Sequence, residues 1–395
     1  MIGLYCNWKV KPCKNGFYIN AIHAKYLMMF RHKYGDVLLL SNTTPSNIDE
    51  TDIFIENGCG ISLLPIPFFS SYIGALKHSI KIVKAMKGLF DNCSHIYVRT
   101  PEPLSWLFGV FNYKNTRSIN YHFTSNPLQV LLCNNSIGWM RRYLKLLVFL
   151  PEYLFTCLAA KYNKCSANGD SMLSYLPFYM DKNKVSIHIE STLSEADLNN
   201  NDSSDVSTRD WSDVATLNFL CVSRLQSAKG IDILLNAIFE IKKSVPELDI
   251  KLRIVGDGPL SSFYEKMIEQ LSISDIVQMV GHVKNGPDLD AIYKCSHVLI
   301  NPSLSETGPR VLLEAMNLSV LCLSTDVGYA KKVLLEDPVC GLVIKKNSLE
   351  ELINSILWIC QNRCDAEILA KCGKPKSKLY SLDRFVGSIF KEYSK

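Results

Sequence analysis

Glu306 and Glu314 stand with seven residues between them in the stretch Pro302-Ser303-Leu304-Ser305-Glu306-Thr307-Gly308-Pro309-Arg310-Val311-Leu312-Leu313-Glu314. A short apolar run, Val298 to Asn301, comes before it, and a run of good helix formers, Val311 to Met316, ends it. Gly308 reads as lying near a helix N-cap and Pro309 as the first helical residue, where the missing N–H is no loss. The N–H groups of Arg310 and Val311 are then free and aimed outward, with the positive end of the helix dipole behind them. Such a helix start is an anion site. At ~1.5 Å per helical residue the two carboxylates lie on the order of 10 Å apart. That is too far for a shared-proton acid/base pair. It suits a ligand with a phosphate in its middle and hydroxyls at both ends, such as a nucleotide sugar. An ordinary amphipathic helix with two solvated carboxylates reads equally well from this stretch alone.

A second segment adds cations. Leu217 to Val222 is a buried-strand run that leads into Ser223-Arg224-Leu225-Gln226-Ser227-Ala228-Lys229-Gly230 and then a helical pattern from Ile231. Arg224 and Lys229 therefore sit at the carboxyl end of a strand, where open α/β sheets bind ligands. Arg can hold a diphosphate bidentately and Lys as a point charge. Plain loop chemistry is the competing reading of Lys229-Gly230.

Taken together these segments resemble the retaining nucleotide-sugar glycosyltransferases of family 4, also called glycosyltransferase group 1. The resemblance is carried in order by Val222-Ser223-Arg224-Leu225 with Lys229-Gly230, by Ile254-Val255-Gly256-Asp257-Gly258-Pro259, by Val280-Gly281-His282-Val283, by Asn301-Pro302-Ser303 with Glu306 and Glu314, and by Ser324-Thr325-Asp326-Val327-Gly328. It covers residues 215 to 345. The chain departs from the pattern at Gly308-Pro309-Arg310, where the family usually has Phe-Gly-Leu, at Ser223 and at Tyr329. The first departure removes a backbone donor and adds a cation, so donor-sugar specificity does not carry over.

The resemblance implies an α/β architecture of two Rossmann-like domains facing across a cleft, the GT-B fold. It implies that Arg224 and Lys229 neutralise the donor diphosphate and stabilise it as it leaves. Glu314 would accept hydrogen bonds from the ribose, and Glu306 would touch hydroxyls of the transferred sugar. Backbone groups from Gly308 through Arg310 to Val311 would help, and Val283 would lie by the base. Gly16, in Lys14-Asn15-Gly16-Phe17, matches the place of a glycine-containing first loop that faces the donor phosphate and would open a helix from Ile19 to Lys33; a plain turn reads equally well. His122 would end a strand and face the cleft beside the transferred sugar, or else be a satisfied structural histidine. No cofactor or metal is expected beyond a UDP- or GDP-sugar donor. Asp288-Leu289-Asp290 reads as acidic residues opening a helix rather than as a metal site.

The elements that must position these residues follow from the rest of the chain. Its 395 residues, 47% of them apolar, supply core for two domains. Strand-like runs, such as Asp36 to Leu40, Ile61 to Leu64, Ser94 to Val98 and Thr116 to Tyr121, alternate with helical patterns, which means parallel sheets covered on both faces. The polar stretch 191–216 reads as a linker. The expected domains are 1–192, an acceptor-binding half, and 193–377, a nucleotide-sugar-binding half, with a last helix in 378–395 returning to the first by family analogy. The 14 cysteines include no Cys-x-x-Cys pair, which points to buried free thiols in a reducing compartment. No signal peptide is evident. The most apolar window, Leu144 to Ala160, is interrupted by Lys145, Pro151 and Glu152 and is shorter than the ~20 residues of a membrane span.

Charge is uneven. Residues 1–190 hold 20 Lys and Arg against 11 Asp and Glu, or +9, and residues 191–395 hold 23 against 27, or −4. Within the basic half, Ser71 to Phe90 reads as one helix with Lys77, Lys81, Lys84 and Lys87 along a face, a candidate for an anionic membrane surface. Arg141, Arg142 and Lys145 among Trp139, Tyr143 and Phe149 form a second candidate. No nucleic-acid motif accompanies the charge. The expected function is a retaining glycosyltransferase acting on a glycan acceptor, expected to be lipid-linked, in bacterial surface polysaccharide synthesis (O-antigen, capsule or lipopolysaccharide), cytoplasmic and peripheral on the inner face of the cytoplasmic membrane. The rivals are a non-catalytic nucleotide-sugar-binding subunit and a sugar-nucleotide epimerase on the same scaffold.

Overall fold

A computed structural model describes residues 1–125, 138–200, 211 and 214–391. The chain divides into two compact units, Met1–Thr192 with Leu382–Lys395, and Leu193–Ser381. Part of the stretch read as a linker, 201–210 with 212 and 213, lies outside the described residues; 195–200 is helical.

The N-terminal unit is built on seven parallel strands: β1 (Ile2–Tyr5), β4 (Val37–Asn42), β6 (Ile61–Ile66), β7 (His95–Thr100), β8 (Ser118–Phe123), β9 (Lys164–Asn168) and β10 (Val185–His188). They lie in the order β10-β9-β8-β7-β1-β4-β6. Strands such as Ile-Gly-Leu-Tyr are buried at every residue because helices cover both faces. One face packs on the helix Ser79–Asn92 through Ile82, Met86 and Leu89, and on the helix Trp139–Lys161 through Tyr153, Cys157 and Ala160. The other packs on the helix Ala21–Tyr34 and on Leu382, Phe385, Val386 and Ile389 of the C-terminal segment. Tyr34 donates its hydroxyl to the Val386 carbonyl (2.8 Å), which ties that segment down.

The C-terminal unit carries six parallel strands: β11 (Leu217–Val222), β12 (Ile250–Val255), β13 (Val277–Gly281), β14 (Val298–Asn301), β15 (Leu321–Thr325) and β16 (Gly341–Ile344). Their order is β13-β12-β11-β14-β15-β16. β11 and β14 are neighbours, so the loops that follow them emerge side by side.

Three expectations are corrected. The stretch 71–90 is not one helix: it breaks between Tyr72–Leu76 and Ser79–Asn92. The apolar window is not interrupted: the helix Trp139–Lys161 runs through Lys145, Pro151 and Glu152, with Pro151 on its exposed side. By length and composition it is the one helix among the described residues that could cross a membrane. Finally, Gly16 does not lie in a loop that opens the helix. It starts β3 (Gly16–Asn20), which pairs antiparallel with β2 (Lys11–Cys13) and β5 (Asp52–Glu56) in a small separate sheet. The helix begins after it at Ala21, where Asn20 accepts from the Ile22 N–H (3.1 Å).

Glycine is required at 16 because a Cβ there would stand 2.0 Å from the Ile55 carbonyl oxygen. Gly16→Ala should therefore destabilise the N-terminal unit by about 1–3 kcal/mol, read by denaturant unfolding. A variant of wild-type stability that loses ligand affinity would restore Gly16 to a binding role.

Candidate functional site in the C-terminal unit

The site is a set of loops at the carboxyl ends of β11, β12, β14 and β15. Ser223 and Arg224 leave β11, and Arg224 is exposed. The loop is fixed from below by the turn after β12: the Leu225 N–H donates to the Asp257 carbonyl (3.0 Å), and Gly256, at φ +137°, lies so close that a Cβ would meet the Ser223 carbonyl at 1.9 Å. The Gly256-Asp257-Gly258 run is thus a packing device under the Arg224 loop.

Lys229 ends a single 3₁₀ turn, Ser227–Lys229, before the helix Ile231–Ser244. Its Nζ lies 2.7 Å from Glu306 Oε1, with the two side chains 23% and 13% exposed. The Leu304 N–H donates to the Ala228 carbonyl (2.8 Å), joining the two loops through the backbone as well. Behind Glu306 is a buried polar relay. The Ser303 hydroxyl lies 2.5 Å from Glu306 Oε1 and 2.8 Å from Asn301 Oδ1, and Asn301 Nδ2 donates to Ser324 Oγ (3.1 Å). The Thr325 hydroxyl donates to the Ser303 carbonyl. Asn301, Ser303, Ser324 and Thr325 are all buried. Sequence reading gave these four no role; the signal available was three polar residues ending apolar strands.

The helix after Glu306 is Arg310–Asn317, with Pro309 as its N-cap. The frame is therefore one residue later than the sequence suggested. The Arg310 N–H is not free but donates to the Gly308 carbonyl (2.9 Å). The reason is that the chain turns tightly at Gly308 before the helix begins. The Val311 N–H has no partner among the described residues, so one outward backbone donor remains. Glu314 lies in the second turn, half-buried, and accepts from the Tyr293 hydroxyl (3.1 Å). Tyr293 belongs to the helix Pro287–Lys294 that follows β13 and the half-buried Val283. The structure thus joins Lys229 to Glu306 directly. Arg224 stands on the same loop as Lys229, and Glu314 on the helix that follows Glu306.

His122 and Gly16 belong to the other unit. His122 is fully buried in β8, which corrects the expectation that it opens on a ligand. Its Nδ1 lies 2.9 Å from Ser166 Oγ and its Nε2 lies 3.5 Å from Glu190 Oε1, and its ring meets Tyr97 and Phe385. Burial pushes its pKa down, opposed by Glu190. Phe385 comes from the C-terminal helix, so the side chain that buries this histidine lies far away in sequence. Nearby, Glu102 follows β7, accepts from the Asn7 N–H (2.8 Å), and is held by burial at a pKa of about 8.

Solved structures place the architecture. WaaG, a glycosyltransferase involved in lipopolysaccharide biosynthesis, superposes over 100% of both chains with a TM-score of 0.69 at 15% identity. Sucrose-phosphate synthase from Thermosynechococcus elongatus does so over 98% of this chain and 96% of its own, with a TM-score of 0.68 at 17% identity. The two Rossmann-like units are the GT-B fold. Residues 214–377, most of the C-terminal unit, match the family described as glycosyl transferases group 1. Among curated relatives, the phosphatidylinositol N-acetylglucosaminyltransferase gpi3 subunit of Schizosaccharomyces pombe is 36% identical over 141 residues, 36% of this chain and 30% of the relative. Alpha-monoglucosyldiacylglycerol synthase of Acholeplasma laidlawii is 29% identical over 171 residues, 43% of this chain and 41% of the relative. The chain thus spans less than half the length of these relatives.

Two outcomes follow. Lys229→Ala leaves a half-buried carboxylate with one hydroxyl neighbour, which should cost about 1–3 kcal/mol; Lys229→Ala with Glu306→Gln should recover part of it in unfolding experiments. Equal loss in both would show that the pair does not hold the loops. For Glu102, the folded unit keeps its proton up to about pH 8, whereas the unfolded chain releases it in the ordinary carboxylate range. Its contribution to stability is present below that range and is lost as pH rises through about 8. The thermal midpoint should fall on going from acidic to mildly alkaline pH, with a shallower slope in Glu102→Gln; an unchanged slope would refute this origin.

Proposed function

We propose that this chain is a retaining glycosyltransferase that moves a sugar from a nucleoside diphosphate sugar to a hydroxyl of a glycan acceptor. The observation that carries the reading is the Lys229–Glu306 pair at the carboxyl ends of adjacent strands, beside the exposed Arg224 and the start of the Arg310–Asn317 helix. In this reading Arg224 and Lys229 stabilise charge on the departing diphosphate. Glu306 holds hydroxyls of the transferred sugar, helped by the Val311 N–H and the Gly308 turn. Arg310 adds a cation at that helix start. Glu314 holds the ribose, and Val283 lies by the base. The relatives named for transfer to phosphatidylinositol and to diacylglycerol lend support to a lipid-linked acceptor. The +9 charge of residues 1–190 supports work at the inner face of the cytoplasmic membrane. Bacterial surface polysaccharide is the pathway we assign.

A thermal-shift screen of UDP- and GDP-sugars should find one that stabilises the protein by ~2.7 kcal/mol at ~100 times its Kd. With that donor and an acceptor, the product should keep the donor's anomeric configuration by NMR. Lys229→Ala should lose ~10²-fold or more in turnover, as loss of a preorganised charge contact does. Glu314→Gln should weaken donor binding by ~1.5–3 kcal/mol. Donor binding without transfer to any acceptor would favour a binding subunit, and sugar conversion without an acceptor would favour an epimerase.

A further inference from the structure

The helix Trp139–Lys161 has an outer face of the wrong kind for water. A helix lying on a globular unit buries one apolar stripe and turns polar residues outward. Here the inward stripe is Glu152, Tyr153, Thr156, Cys157 and Ala160. The outward stripe is Met140, Leu144, Leu147, Leu154, Phe155 and Leu158, each between 38% and 68% exposed. At 3.6 residues per turn these six fall within an arc of about 100°, and they run for about 27 Å along the axis. The exposed Trp139 and Tyr143 stand at its start.

Two further observations say what covers this face. Cations flank it: Arg141 and Lys145 are exposed to one side of the stripe in the first two turns, and Lys161 is exposed at its end. Next to it, Tyr72 packs on Phe149 and donates its hydroxyl to Glu152 (2.8 Å), which sets the Tyr72–Leu76 helix against the long one. Ile73 and Leu76 there are exposed, and Lys77, Lys81 and Lys84 follow, also exposed. Apolar side chains framed by Lys and Arg fit an anionic lipid surface, with the aromatic residues suited to the headgroup level.

We propose that the outer face of the helix Trp139–Lys161 seats the N-terminal unit in the headgroup region of an anionic membrane, with the helix lying in the plane of the interface. The helix does not span. Its inner face is locked in the core, with Glu152 also accepting from Trp106 Nε1 (3.1 Å), and a span would have to strip that face away. The Ser79–Asn92 helix is not the inserting element: its apolar residues Ile82, Met86, Leu89 and Phe90 are buried, and Lys87 is paired with Asp91 (2.8 Å). It contributes charge, and the long helix contributes insertion. The geometry stands by itself; its purpose rests on the lipid-linked acceptor proposed above.

The test is co-sedimentation of the full chain with phosphatidylcholine vesicles that contain or lack about one quarter phosphatidylglycerol. The wild type should bind the anionic vesicles, retain part of the binding at high salt because apolar contact remains, and bind the neutral ones weakly. Leu144→Glu with Leu147→Glu should lower binding at least tenfold, while Leu144→Phe with Leu147→Phe should keep it. Both pairs lie on the surface, so the thermal midpoint should stay near wild type. Vesicle binding unchanged in the Glu pair overturns the proposal, as does a wild type that ignores anionic vesicles. A wild type that instead self-associates through this face, with the Glu pair monomeric, assigns the face to a second copy and also overturns it. None of these readings depends on turnover, so failure to find a sugar donor would sink the proposed function and leave this result standing.

Discussion

An ion pair between two loops organises the C-terminal unit. Lys229 arrives from β11 and Glu306 from β14, and their contact at 2.7 Å is only partly open to water. A pair in that setting gives up much hydration, so it is kept only if its remaining hydrogen-bonding capacity is met. Ser303 meets it on the carboxylate side, and Asn301 and Ser324 hold Ser303 in turn. The loops are thus registered to the sheet by a chain of polar contacts that begins inside the strands. The exposed Arg224 stands on the same loop, five residues before this partly neutralised lysine.

Much of this frame is legible in the sequence because its signals are local. Apolar runs such as Leu217 to Val222 and Val298 to Asn301 are buried on both faces and need no partner to be recognised. The residues just after them fall at strand ends whatever the details of packing. What is not legible depends on distant chain. His122 looks like a strand-end side chain until Phe385 covers it. Gly16 looks like a loop glycine until β5, some forty residues on, brings the Ile55 carbonyl against it. The start of the Arg310–Asn317 helix moved by one residue because Gly308 and Pro309 carry both turn and helix-start signals, and local propensity does not choose between them. The continuity of the Trp139–Lys161 helix through Pro151 is a case of tertiary packing overriding a local breaker: five core-facing residues follow the proline and hold the axis.

The N-terminal unit shows a different economy. Its long helix serves the core with one side and leaves the other apolar, so the same element that carries Glu152 into the interior also sets the character of the surface. Glu152 on that helix and Glu102 after β7 are both buried carboxylates, and burial raises both above the usual carboxylate range. Charge that does enter the interior is paired, as in Lys11 with Asp52 and Arg99 with Glu190.

The return of the chain to its first unit has a consequence for biosynthesis. Leu382, Phe385, Val386 and Ile389 belong to the same core as Ile2, Leu4 and Phe30, yet they leave the ribosome only after the whole of Leu193–Ser381. The second unit is contiguous and can close as soon as it emerges. The first must wait, with one flank of its sheet only partly covered, for a segment made after the second. Domains usually mature in the order of synthesis; here the order is inverted. Between the last strand, Val185–His188, and Leu382 the nascent chain carries part of that sheet face covered only by the helix Ala21–Tyr34.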